Sequence, residues 1–261
     1  MRSWRRRWGK LRDDFQNLSR GLKQMCCYCE QFCSEWDIKG IMPVLTRGDS
    51  HMIVMPTTYS PMTVARSFRV VEEIELSGRL LQVIYDNQTP RAAIIEADIE
   101  VFAGVPRHRV LAALDLQCKK EFGSDIIAVE RWWEDSDLAQ VEGICVSPGE
   151  RDKGLATRLY EALILQCGIT LISDFDQYDG GKMLWQKIAR ESDQISVFVL
   201  DTEQGAFWPY DGTKVIYDGG CIPEERIWSI SPDQKCHGIV LVAENKQRAN
   251  QLMEESAPYR I

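Results

Sequence analysis

The chain has 261 residues, 44% of them hydrophobic, and a formal net charge of −8. That is enough apolar material for one large domain or two small ones with a buried core, and the negative balance sets most of the surface against nucleic acid and anionic membrane. There is no run of about 18 apolar residues to form a transmembrane helix, and no apolar run follows the basic start, so neither a membrane span nor a secretory signal is expected.

The charge is uneven. Residues 1–24 hold eight Arg and Lys against Asp13 and Asp14, a net +6, which leaves −14 on the remainder. The segment MRSWRRRWGKLR interleaves Trp with Arg. Such an arm suits phosphate contacts and stacking on nucleic acid, an anionic membrane surface, or docking on the acidic body, and the residues leave these open. Residues 4–36 read as one or two amphipathic helices interrupted at Gly21. Within them Cys26, Cys29 and Cys33 recur at helical spacing with Phe15, Leu18 and Leu22, which points to packing. The spacing Cys26-x-x-Cys29 also suits a metal, and Cys27 stands beside it, but no second Cys or His pair completes a tetrahedral set, so no metal site is expected. Cys118, Cys145 and Cys167 sit in apolar runs, as reduced core thiols of a cytoplasmic protein do.

Further along, residues 40–65 read as a loop rich in Pro, Thr, Ser and Met. Residues 67–76 and 79–86 read as two strands joined by a Ser77-Gly78 hairpin turn. Residues 91–102 fit strand or helix. Pro106 is placed to open a helix, PRHRVLAALDLQCKKEF, ended by Gly123. Residues 125–132 and 138–146 read as strands, and a helix is expected from Gly154 to Gln166, with Leu155, Leu159, Ala162 and Leu163 as its apolar stripe and Gly168 beyond its end. A strand at 169–173, a helix at 180–190 and a strand at 195–201 follow. Residues 203–261 add an aromatic, turn-rich stretch (Phe207, Trp208, Tyr210, Tyr217, Trp228), a buried strand at 238–243 and a polar tail at 246–261 that is expected to be mobile. The aromatic stretch reads as core that completes the sheet, or as a substrate flap.

Most of the chemistry lies in VEGICVSPGERDKGLAT, residues 141–157. An apolar strand runs into a short loop and then a helix whose first N–H groups carry the positive end of the helix dipole, a setting that favours phosphate. Gly154 clears the backbone for close approach, Ala156 keeps the next inward position small, and Arg151 and Lys153 add rim charge. Neither the P-loop spacing nor the dinucleotide fingerprint is present.

Arg151-x-x-Gly154-x-Ala156, within a β-α-β-α-β order over residues 125–202, resembles the Arg/Gln-x-x-Gly-x-Gly/Ala signature of the GNAT superfamily of acyl-CoA-dependent N-acyltransferases. The resemblance implies an α/β fold with a mixed, mostly antiparallel central sheet flanked by helices. Residues 63–245 would form that domain, after a basic helical extension over 1–62. It also implies that acetyl-CoA is the co-substrate. Its pantetheine arm would lie along backbone groups of Ile144, Cys145 and Val146, and its pyrophosphate would sit on the N–H groups of Arg151, Asp152, Lys153, Gly154, Leu155 and Ala156, with the Thr157 hydroxyl nearby. Some members carry a Glu base at the position held here by Gln140, which is no base. Glu142 is the candidate instead, on the same strand face by period-2 alternation, with Glu130 and Glu134 behind it. The family's Asn-x-x-Ala-x-x-x-Tyr arrangement falls on Tyr178, Gly181 and Trp185. Trp does not transfer a proton, so Tyr178, water or an unprotonated thiolate completes the reaction. Trp185 would cover the cleft or pack in the core. The stretch Ser173 to Ile188 also looks like GNAT-like proteins of bacteriophage.

The expectation is a cytoplasmic N-acetyltransferase acting on a primary amine of a cationic small molecule or protein. Two alternatives stand beside it: a GNAT-fold binding protein without catalysis, and an acyltransferase acting on a nucleic-acid amine through the basic arm.

Overall fold

A computed structural model describes residues 44–45, 55–86, 88–118, 129–130, 132–133, 137–174, 176–229 and 238–255. The basic arm and the cysteines at 26–33 lie outside the described residues, as do Glu134, residues 125–128 and 256–261.

Two short strands come first, β1 (Val44–Leu45) and β2 (Thr58–Tyr59). Helix α1 (Pro61–Ser67) then interrupts what the sequence suggests is a loop. Ser60 caps it, its hydroxyl accepting the Thr63 N–H at 3.0 Å, and Pro61 occupies the first turn, where its missing N–H costs nothing. Strands β3 (Arg69–Leu76) and β4 (Arg79–Asp86) form the expected hairpin. Ser77 and Gly78 both have positive φ, 53° and 73°, which matches the twist of the flanking strands.

Strand β5 (Arg91–Phe102) resolves the ambiguous segment, and β6 (Val105–Gln117) replaces the helix expected from Pro106. The reason is burial on both faces. Leu111, Leu114 and Leu116 enter one core cluster, and Val110 and Ala113 enter another. A strand covered on both sides becomes an unbroken apolar run, which periodicity does not separate from a buried helix. The strand expected at 125–132 is also corrected, because Val129 and Glu130 are helical.

The rest follows the expected order: β7 (Asp137–Val146), α2 (Leu155–Gln166), β8 (Ile169–Ile172), the short β9 (Asp176–Gln177), α3 (Asp179–Glu191), β10 (Ile195–Asp201), β11 (Ala206–Phe207) and β12 (Ile239–Asn245). Gly168, at φ 71°, ends α2 in the left-handed conformation expected of it. Helix α4 (Lys246–Glu255) takes the place of the mobile tail through residue 255. Ala249 is fully buried in the β10–β12 cluster and fixes that helix on the sheet.

The protein is thus mixed α/β, with few helices on a large, mostly antiparallel sheet. The sheet has ten strands ordered β11-β10-β12-β8-β7-β6-β5-β4-β3, with β2 added on β6. Among the described residues, β7 with β8 is the one parallel pair in it. The main core lies under α2 and α3. No described helix is long and apolar enough to cross a membrane.

Trp185 belongs to this core. It is fully buried on α3, meets Tyr160 of α2 edge to face at 5.4 Å, and its indole N–H has no hydrogen-bond partner. Packing is therefore its role, and it does not cover a cleft. Trp185→Phe keeps one aromatic ring and removes the unsatisfied donor but leaves a small cavity, so it should cost about 1–2 kcal/mol. Trp185→Ala should cost about 3–5 kcal/mol. Urea melts of the two variants check this.

Candidate functional site

Strand β7 is parallel to β8 over only four register pairs, Asp137 to Gln140 against Ile169 to Ile172. It then runs on for six residues to Val146, held on its other side by β6 from Ala112 to Leu116. The chain after β8 turns with β12 instead. The Ser173 N–H donates to Leu241 C=O at 2.9 Å, and its hydroxyl accepts the Leu241 N–H at 3.1 Å. The two parallel strands therefore separate beyond Gln140, and the β8-side edge of Val141 to Val146 meets no strand among the described residues. Ile144, Cys145 and Val146 are half-buried along it.

Gln140 stands at the apex of this opening. It is buried, and its side-chain N–H donates to Ser173 C=O at 3.3 Å, which ties the diverging chains together. The expected alternation of Gln140 and Glu142 fails. Asp115 pairs with Gly143 and Leu116 with Val141, so Glu142 is an extra residue in a β-bulge. The bulge breaks the period of two and leaves Glu142 exposed while Gln140 is buried. A bulge has no local sequence signature strong enough to be read in advance.

Beyond Val146 the chain makes a 3-10 turn (Pro148–Glu150), passes Asp152 at φ 64°, and enters α2 at Gly154, φ 77°. A side chain at Gly154 would be strained by that φ, and the space its Cβ would occupy is open to 4 Å. The first turn of α2 has no side-chain cap and no acidic residue, so no side chain of that turn offsets the positive end of the helix. Leu155, Leu159, Tyr160, Ala162, Leu163 and Ile164 bury its inner face. Arg151, Asp152 and Lys153 are exposed, and Ala156 and Thr157 are half-buried.

Sequence reading missed the group that holds this loop. Glu150 is buried, and Arg79 at the start of β4 grips it with two hydrogen bonds, Nη1 to Oε1 at 3.1 Å and Nη2 to Oε2 at 2.7 Å. The same guanidinium reaches Glu96 of β5 at 2.8 Å, and Lys153 Nζ donates to Glu150 Oε2 at 2.9 Å. Lys153 is thus spent on Glu150 and is not the free rim charge expected. The Arg79 guanidinium, helped by Lys153 and opposed by burial, lowers the Glu150 pKa from 4.5 to about 2. Arg79 and Glu150 are 71 residues apart, so no local pattern links them.

Tyr178 occupies the N-cap position of α3 without a side-chain cap hydrogen bond, and Glu142 stands on β7. Glu130 is half-buried in a short helical stretch before β7. Gly181 is tight against Gln177, where a Cβ would lie 2.5 Å from the amide oxygen. A cavity of about 280 Å³ lies at the far, C-terminal end of α2, between Gly168, Thr170 and Arg248, away from the opening. Among the described residues no His, Cys, Asp and Glu cluster has metal-ligand geometry.

No protein-family model matches the chain, and neither a curated protein nor a solved structure matches it.

Two outcomes follow for the loop. Arg79→Ala leaves a buried carboxylate short of its main partner and should cost about 2 kcal/mol in a denaturant melt. The Glu150 pKa is lowered in the fold, so its contribution is complete above pH 4.5 and is lost as the pH falls toward 2. The stability difference between wild type and Glu150→Gln should therefore be flat near neutrality and shrink below pH 4.5.

Proposed function

We propose that the chain is a GNAT-type N-acyltransferase that moves an acetyl group from acetyl-CoA to a primary amine. The observation that carries this reading is the opening between β7 and β8, where β7 runs past β8 with an edge that meets no strand among the described residues and leads through a short loop to a helix N-terminus entered at a left-handed glycine. An extended amide-bearing arm suits the strand edge, and a pyrophosphate suits the uncapped helix end. The strand order, with its single parallel pair and crossover helix, supports the same reading.

In this reading the pantetheine arm pairs with backbone groups of Ile144, Cys145 and Val146. The pyrophosphate takes the N–H groups from Arg151 to Ala156, with Thr157 beside them. The acyl carbon then lies near the apex at Gln140. Glu142 takes a proton from the incoming ammonium, directly or through water, and the free amine attacks the thioester carbonyl. The tetrahedral intermediate collapses with loss of the CoA thiolate, which Tyr178 or water protonates. An acidic body of net −14 draws a cationic acceptor, such as a lysine or N-terminal amine, a polyamine or an aminoglycoside. Acetyl-CoA as donor fits a cytoplasmic setting.

The second reading keeps the fold and drops the transfer step. The observation on its side is Trp185, sealed in the core where the resemblance expects a proton donor. Acceptance of a nucleic-acid amine remains an option for the basic arm.

Saturating acetyl-CoA, at about a hundred times Kd, should stabilise the wild type by about 2.7 kcal/mol in a thermal or calorimetric assay. Gly154→Trp should abolish that gain. Glu142→Gln should retain it and lose turnover. A wild type with no response to acetyl-CoA overturns the transferase reading, and binding with no transfer to any amine favours the second one.

A further inference from the structure

On the opposite face of the sheet from α2, the chain's own Lys214 is enclosed by aromatic rings. Its Nζ lies 4.1 Å from the ring centre of Phe198, 4.5 Å from Trp133 and 5.0 Å from Phe207. Glu244 of β12 completes the enclosure. It is 1% exposed and accepts from Lys214 at 3.4 Å through Oε1 and from the Trp133 indole N–H at 2.7 Å through Oε2. The ammonium thus meets three ring quadrupoles and a carboxylate.

The walls of the box come from other elements than the one that carries its occupant. Its three rings come from three places, the connection before β7, β10 and β11, and they rest on one another. Trp133 meets Phe207 at 5.6 Å and Phe198 at 6.4 Å, and Phe198 meets Phe207 at 6.0 Å. Trp132, half exposed, extends the wall by an edge-to-face contact with Phe207 at 5.1 Å. The occupant, by contrast, arrives on residues 208–216, which carry no regular structure and are tied to β10 at their two ends, where the Trp208 N–H donates to Val199 C=O at 3.0 Å and the Tyr217 N–H to Val197 C=O at 2.8 Å. Lys214 keeps about a fifth of its side chain exposed. A buried carboxylate demands a cation, and nothing in the box requires that cation to be covalently attached.

We propose that this box is a binding site for primary alkylammonium groups, and that Lys214 is its tethered, displaceable occupant. The ligand chemistry is a positive N–H donor on an apolar stem of a few carbons. The stem contacts the rings, and one N–H is directed at Glu244. Burial lowers the Lys214 pKa, with Glu244 opposing the shift, so any ammonium in this box meets a desolvation cost that the rings and Glu244 must offset. Two sources present this chemistry, a lysine on a partner protein and a free polyamine. The site is separate from the β7–β8 opening, and the inference does not rest on acyl transfer.

The test uses the full chain with butylammonium as probe and 1-butanol as its uncharged match. In Lys214→Ala, butylammonium should change the tryptophan fluorescence saturably, at a concentration at least tenfold lower than in wild type, and butanol should not. The double variant Lys214→Ala, Glu244→Gln should lose the response, because the charge that recruits the probe is gone. Wild type supplies an independent readout, since removing Lys214 threatens folding. Probe that enters the box expels the side chain, so amide hydrogen exchange across residues 208–216 should accelerate several-fold with butylammonium and stay unchanged with butanol. A capped lysine binding tighter than butane-1,4-diamine assigns a protein partner, and the reverse order assigns a polyamine. The absence of a charge-specific response in both the wild-type exchange and the folded variant overturns the proposal. So does an equal response from butanol, or from the double variant.

Discussion

A parallel pair of strands has no hairpin solution. The step from the end of β7 to the start of β8 must cross a face of the sheet, and here the crossing is α2. That constraint sets most of the C-terminal half. It puts the beginning of α2 beside the end of β7, and it gives α3 a neighbour to pack on through Tyr160 and Trp185. Because β8 then pairs with β12 and leaves β7 after four residues, it also makes the opening. In a fully antiparallel sheet that edge would be covered by the next strand.

The opening is held from both sides. Gln140 ties its apex to Ser173. Arg79, at the turn of the β3–β4 hairpin, ties its mouth through Glu150 and reaches Glu96 with the same side chain. The N-terminal hairpins, which carry none of the residues first suspected, are therefore fastened to the loop before α2. A bidentate guanidinium on a buried carboxylate fixes orientation as well as position.

How much of this was legible in the sequence depended on the range of the interaction. The Ser77-Gly78 turn, the apolar stripe of α2 and Gly168 after it are local signals, and they read correctly. Strand β6 did not, since burial on both faces erased its alternation and Pro106 imitated a helix start. Helix α4 was hidden: among its described side chains Ala249 is the buried one, and one alanine in a polar run is a faint local signal. At the site, Gly154 and the strand-to-helix handover were visible. The bulge at Glu142, the Arg79 to Glu150 grip and the ring box around Lys214 were not. The last joins Trp133 to Glu244 across 111 residues, and only the folded sheet brings them together.

The long β5–β6 hairpin has a consequence of its own. Beyond Glu96 and Val110 it leaves the body of the sheet, becoming a two-stranded ribbon past the short β2, with Ile99, Val101, Phe102 and Val105 exposed near its tip. Such a ribbon is an invitation to endless strand addition unless its sides are closed. Pro106, which has no N–H, stands opposite Val101, and β2 already occupies His108 and Arg109. Asp98 and Glu100 of β5 are exposed, and their charges discourage a like strand from lining up against them. The ribbon therefore presents grease for a surface to rest on while denying the β6 side to fibre growth.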